Sequence, residues 1–214
     1  MQLTKLERLI FRITPNFILR RILHRLDRYH YFRGTLNTQT PISFDLWYNQ
    51  KVLGHYDNAY WPIHKTSTVC GIQNIYCGIE TCPGYSPGNY IQGMGKIFID
   101  DYTQIAPNVG IISSNHDVYN NSKHIIQEVK IGKYCWIGMG AVILPGVELG
   151  DFTIVGSGAV VSKSFTEGYC ILGGVPAKII KELEIEKCKR NKSAVEYNGY
   201  IKTEYFQLFR KNNL

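Results

Sequence analysis

Ile131-Gly132-Lys133-Tyr134-Cys135-Trp136 is followed by Ile137-Gly138-Met139-Gly140-Ala141-Val142, and further six-residue units begin at Ile143, Leu149, Val155 and Val161. All six first positions are aliphatic, and Gly holds the second position at 132, 138, 150 and 156. Fifth positions run Cys135, Ala141, Val147, Thr153, Ala159 and Phe165, mostly small. A period of six suits neither a helix at 3.6 nor strand alternation at 2.0. It suits a solenoid in which every sixth side chain enters one continuous core and each turn stacks on the last.

Upstream, Ile99, Ile105 and Ile111 keep the same spacing. Then come Ser113-Ser114-Asn115-His116-Asp117 and a polar run from Val118 to Lys123. Twenty residues separate Ile111 from Ile131, where three hexads take eighteen, so the repeat is interrupted. Insertions in solenoids extrude as loops, often on the binding face, which predicts a loop over 117–128. Residues 34–96 are less legible. Thr68-Val69-Cys70 reads as a strand, and Ile79, Tyr85 and Ile91 read as degenerate hexads, so the first coils begin in this region. Downstream, 168–174 reads as a turn and closing strand. Val175-Pro176-Ala177-Lys178 then predicts a helix to about Arg190, placed to cover the last coil edge. The tail carries Tyr197, Tyr200, Tyr205, Phe206 and Phe209, which should pack back on the N-terminal segment or on another subunit.

Residues 1–33 read as helix, with Leu3, Leu6, Leu9, Ile10 and Ile13 at helical spacing. Thr14-Pro15 breaks the run, and a second stretch carries Ile18, Ile22, Leu23 and Leu26. Lys5, Arg8, Arg12, Arg20, Arg21, Arg25, Arg28 and Arg33 stand there against only Glu7 and Asp27. Two readings stay open: a helical cap packed on the coil or a sister subunit, and a peripheral contact with an anionic membrane surface. The expected division is an N-terminal helical and irregular segment over 1–60, the coil over 61–175, and a C-terminal helix and tail over 176–214.

The chain has 214 residues and a formal net charge of +7, which suits an anionic partner. No nucleic-acid-binding motif accompanies that charge, so nucleic acid is not an expected partner. The six cysteines form no CxxC pair and read as free thiols. No apolar run is long enough for a signal peptide or a spanning helix, so the expected location is cytoplasmic, with the inner face of the membrane left open as the place within it. Composition gives a lone loop histidine such as His116 no special role. Trp47, Tyr48, Tyr60 and Trp61 could stack on a sugar or simply pack.

The hexads, with His116 ahead of them and Trp136 within them, resemble the hexapeptide-repeat acyltransferases over about 97–181. The likeness is closest to the maltose, galactoside and polysaccharide O-acetyltransferase branch. It implies a mainly β fold, a left-handed parallel β-helix, assembled as a homotrimer with sites between subunits. It implies an O-acetyltransferase that uses acetyl-CoA as co-substrate, requires no metal, and acts on a saccharide or nucleotide-sugar acceptor, as in surface-polysaccharide biosynthesis. His116 matches the catalytic histidine, a general base in a ternary complex without an acyl-enzyme. Asn108, Asp100 and Asp101 match acceptor-binding positions, and Asp117 could orient the histidine. Coenzyme A should run along the repeat past Trp136, Met139 and Gly140, Ser157 and Gly158, and Ser162 and Lys163. Lys178 and Lys181 would lie near its phosphates. The alternative is N-acetylation of an amino-sugar nucleotide, which uses the same base. Serine acetylation fits less well, because that group carries a longer helical N-terminal domain. A zinc-dependent γ-type carbonic anhydrase needs three histidines, and His64, His116 and His124 do not have its spacing. A non-catalytic solenoid scaffold is the remaining class.

Overall fold

A computed structural model describes residues 3–213. From Thr68 onward the chain visits three parallel sheets in fixed rotation. Sheet A holds Thr68–Cys70, Tyr90–Gln92, Gly110–Ile112, Val142–Ile143 and Val160–Val161. Sheet B holds Ile75–Cys77, Ile97–Ile99, Val129–Ile131 and Glu148–Leu149. Sheet C holds Gln104–Ile105, Trp136–Ile137, Ile154–Val155 and Cys170–Gly173. Ile131, Ile137 and Ile143 pair in register with Leu149, Val155 and Val161, each eighteen residues on, so three hexads make one turn.

All six first positions of the clean hexads are buried, and Ile99, Ile105 and Ile111 join the same core. Fifth positions Cys135 to Ala159 are buried too, while Phe165 is half-buried. The second-position glycines let neighbouring coils touch: a Cβ on Gly138 would lie 2.6 Å from the Val155 carbonyl oxygen. Fourth positions turn the corners with positive φ, as Tyr134, Gly140, Gly146, Phe152 and Gly158 do.

Three expectations need correction. The interruption is far longer than two residues. Ile99 pairs with Ile131 thirty-two residues on, not eighteen, so fourteen extra residues leave between Ile111 in sheet A and Ile131 in sheet B. Those two isoleucines are one hexad apart around the coil, not three. The insertion is an antiparallel hairpin, Ser114–His116 with His124–Ile126, rather than plain loop. Third, no helix opens at Pro176, and the stretch to Arg190 holds only a single 3-10 turn at Ile185–Lys187. Lys178–Glu182 is a strand antiparallel to Cys170–Gly173 and ends sheet C. The backbone groups along that edge require partners, and a strand supplies them where a helix cannot.

The first parallel strand is Thr68–Cys70, and at 22 residues from Val69 to Ile91 and 20 from Ile91 to Ile111 the early turns break the period. The N-terminal segment is helical, with α1 (Lys5–Ile13) and α2 (Asn16–Leu23) separated at Pro15, then α3 (Tyr31–Gly34) and α4 (Phe44–Trp47). Thr4 and Glu7 form a capping box on α1. This segment has its own core of Leu19, Leu23, Tyr29, Phe32 and Trp47, into which the tail inserts Tyr197 and Tyr200. The C-terminal helix is α5 (Thr203–Asn213), whose Phe206 lies 5.3 Å from Tyr60 at the start of the coil. All six cysteines are free.

Candidate active site

The hairpin leaves the coil between sheets A and B. Its neck is closed by Gln127 N–H donating to the Ser113 carbonyl at 2.8 Å, and Ser114 N–H donates to Gln92 Oε1 at 3.1 Å. Cross-strand pairing sets His116 opposite His124, with ring centroids 4.5 Å apart. His116 Nδ1 lies 2.6 Å from the Asn121 carbonyl oxygen. A carbonyl only accepts, so Nδ1 carries the proton of the neutral ring and Nε2 keeps a free lone pair. An exposed imidazole fixed in that tautomer can take a proton from a neighbouring hydroxyl or amine.

Asp117 has a different task from the one expected. Its Oδ1 accepts from Tyr119 N–H and Asn120 N–H, both at 2.9 Å, and so caps the hairpin turn. The Asn121 carbonyl, not Asp117, orients the ring. His124 was read in the sequence only as a possible zinc ligand, and Asn121 went unread. The pair of histidines flanking a polar run was visible there, but a carbonyl partner has no sequence signature.

Asn108, Met139, Gly140, Ser157 and Gly158 come together as one column at the corner between sheets C and A. Gly140 N–H donates to the Pro107 carbonyl at 3.1 Å, and Gly158 N–H to the Met139 carbonyl at 2.9 Å, linking successive levels. Asn108 has φ 58°, so corner geometry alone accounts for an Asn there. A Cβ on Gly140 or Gly158 would meet nothing within 4 Å, so backbone at this corner is open to a close-approaching ligand. Trp136 is exposed on sheet C just before this column and lines a cleft of about 470 Å³ with Gln104, Tyr134 and Lys189.

The other candidates fall elsewhere. Ser162 and Lys163 follow Val161 at the corner between A and B, on the hairpin's side, and Lys163 Nζ lies 5.4 Å over the Phe165 ring. Lys178 and Lys181 are exposed on the antiparallel strand that ends sheet C. Asp100 and Asp101 sit at the corner between B and C. Asp101 Oδ1 accepts from Ile79 N–H at 2.9 Å and Oδ2 from Lys133 Nζ at 2.8 Å, so both oxygens brace neighbouring coils. Asp151 repeats the motif two coils on, accepting from Lys133 N–H at 2.9 Å. Burial raises the Asp100 carboxyl above its ordinary range, against a backbone hydrogen bond from Asp101. Both aspartates line a groove of about 610 Å³ beside α5. Among the described residues no three His, Cys, Asp or Glu side chains group to hold a metal.

His116 and the open column therefore stand on opposite edges of sheet A. Residues 128–163 match the family described as bacterial transferase hexapeptide (six repeats). A Dictyostelium discoideum protein that bears the name acetyltransferase is 43% identical over 109 residues, covering 46% of this chain and 57% of that protein. The dTDP-4-amino-4,6-dideoxy-D-glucose acyltransferase of Escherichia coli is 33% identical over 123 residues, covering 52% of this chain and 60% of the relative. The chain thus spans no more than about three-fifths of these relatives. Among solved structures, a galactoside acetyltransferase in complex with coenzyme A superposes with a TM-score of 0.57 at 19% identity, over 85% of this chain and 90% of that one.

Proposed function

We propose that this chain, whose residues 128–163 are bacterial transferase hexapeptide repeats, is an acetyltransferase that moves an acetyl group from acetyl-CoA to a saccharide hydroxyl. The observation that carries the reading is the His116 ring, held at Nδ1 by the Asn121 carbonyl with Nε2 free. The acceptor hydroxyl gives its proton to Nε2 as its oxygen attacks the thioester carbonyl carbon. The tetrahedral intermediate collapses with cleavage of the carbon–sulfur bond, and the imidazolium returns the proton to the leaving thiolate. A backbone N–H is the natural partner for the transient oxyanion. The open corner at Asn108, Gly140 and Gly158, with Trp136 beside it, suits the extended arm of coenzyme A.

Base and donor column lie on opposite edges of sheet A within one chain. A ring of three copies, each lending its hairpin to the neighbour's column, brings them together, and the coil winds left-handed in this reading. Acetyl-CoA is a cytoplasmic metabolite, which supports a location on that side of the membrane. A second reading, N-acetylation of an amino-sugar nucleotide, is favoured by the 33% identity to a dTDP-amino-sugar acyltransferase.

The test is thiol release from acetyl-CoA against a panel of saccharides and amino-sugar nucleotides, with products weighed by mass spectrometry. His116→Ala should lower turnover by ~10²- to 10⁴-fold, the usual worth of a general base, with coenzyme A affinity kept. Unchanged turnover would remove His116 from the mechanism.

A further inference from the structure

The helix α1 presents its apolar side to solvent. Its body-facing side is Arg8, Phe11 and Arg12. Arg8 pairs with Asp57, Phe11 lies 5.8 Å from the Trp47 ring, and Arg12 Nη2 donates to the Val52 carbonyl at 3.1 Å. No residue of α1 is buried. Leu6, Leu9, Ile10 and Ile13 point outward at the spacing of an amphipathic face, and Phe17 and Ile22 of α2 are exposed as well. Leu6 is 66% exposed, and Ile13 and Phe17 are 74% exposed each. A contiguous apolar stripe of this kind marks a docking surface, where scattered exposed leucines would not.

Charge selects the occupant. Residues 1–33 carry eight Lys and Arg against two acids, so six of the chain's seven excess positive charges lie there. The rest of the chain is close to neutral, and another copy offers little net negative charge to receive this surface. Lys5, Arg21 and Arg25 have no ion-pair partner among the described residues. Arg21 stands one helical turn beyond the exposed Phe17. Helices of nine and eight residues are about 14 Å long, less than half of the ~30 Å hydrocarbon thickness, so they can lie in a membrane surface but not cross it.

We infer that α1 and α2 dock this chain on an anionic phospholipid bilayer. The apolar stripe enters the acyl boundary, and Lys5, Arg21 and Arg25 lie among the headgroups. The inference goes beyond the transfer reaction and stands without it. The full chain is centrifuged with phosphatidylcholine vesicles, with and without phosphatidylglycerol. It should sediment with the anionic vesicles alone and be released by high salt. Arg21→Glu with Arg25→Glu keeps every apolar contact and should weaken association at least ~25-fold, about five-fold per cation lost. Leu9→Ser with Ile13→Ser should abolish sedimentation with melting temperature unchanged. Wild type that stays in the supernatant overturns the inference, as do variants that sediment like wild type. A change in mass of Leu9→Ser/Ile13→Ser by light scattering also overturns it, making the stripe an interface between copies.

Discussion

Lys51 ends on the carbonyls of Asp57 and Ala59, each at 2.8 Å from Nζ, with the Tyr200 ring centroid 4.9 Å away. Burial pulls its ammonium down from 10.5 to about 8, with Asp57 opposing. Between those values the unfolded chain holds more protons than the folded one, so the lysine makes stability rise with pH through that window. Below about pH 8 both states are protonated and the cost of the buried charge is borne in full. Buried Cys77, Cys82 and Cys135, with thiols pushed up by burial, act the other way from about pH 9, because the unfolded thiols ionise first. Lys51→Met removes the lysine's share and leaves theirs. Wild type should therefore gain ~2 kcal/mol of unfolding free energy over Lys51→Met between pH 7.5 and 9.5, measured by urea titration at both. A difference flat with pH would show that Lys51 titrates as an ordinary lysine.

The coil is a ladder of corners, and one corner carries side chains no first reading picked out. Tyr102, Tyr134, Phe152 and Tyr169 all have positive φ and stack ring on ring at 5.2, 5.0 and 5.2 Å between centroids. A left-handed φ costs ~1–2 kcal/mol outside glycine, and stacking of ~0.5–1.5 kcal/mol per pair offsets much of it. The signal was present, since Tyr134 and Phe152 both hold fourth positions. The inward Ile, Leu and Val of 131–161 were legible because a strict period of six can only be satisfied one way around. The coils before Ile91 were not, because 22-residue turns leave no constant spacing to detect. Pro176 misled as a helix start because the demand of the sheet C edge for hydrogen bonds is invisible locally. The size of the insertion misled because a gap of twenty mimics three hexads. Removing 114–127 restores an eighteen-residue turn and puts residue 128 at a fourth position. With Glu128→Gly added to meet the corner's φ, the coil should stay folded, with melting by circular dichroism lowered by only a few degrees. Transfer should fall to background. A collapse of the fold would make the hairpin a structural part of the coil.

At the scale of the molecule, the aromatic N-terminal core and the aliphatic coil are tied by one buried hub. Gln50 donates to the carbonyls of Tyr56 and Trp61 and accepts from Ile63 N–H and Tyr200 O–H. Residues 50–63 and the distant Tyr200 therefore meet in a fully satisfied network, which fixes the tail against the start of the coil. The proposed site, split across the two edges of sheet A, would need more than one copy, and light scattering should then give the mass of three chains at micromolar concentration. Full activity in a monomer would place the whole site within one chain. The hairpin has a consequence for inheritance as well. Strands on both sides of it pair as though its fourteen residues were absent, and lengthening a closed loop costs little free energy. Lineages can then exchange or redraw the segment that bears His116 while the hexads pass on unaltered. New acceptor preferences should arise first in the hairpin, with the coil recording common ancestry.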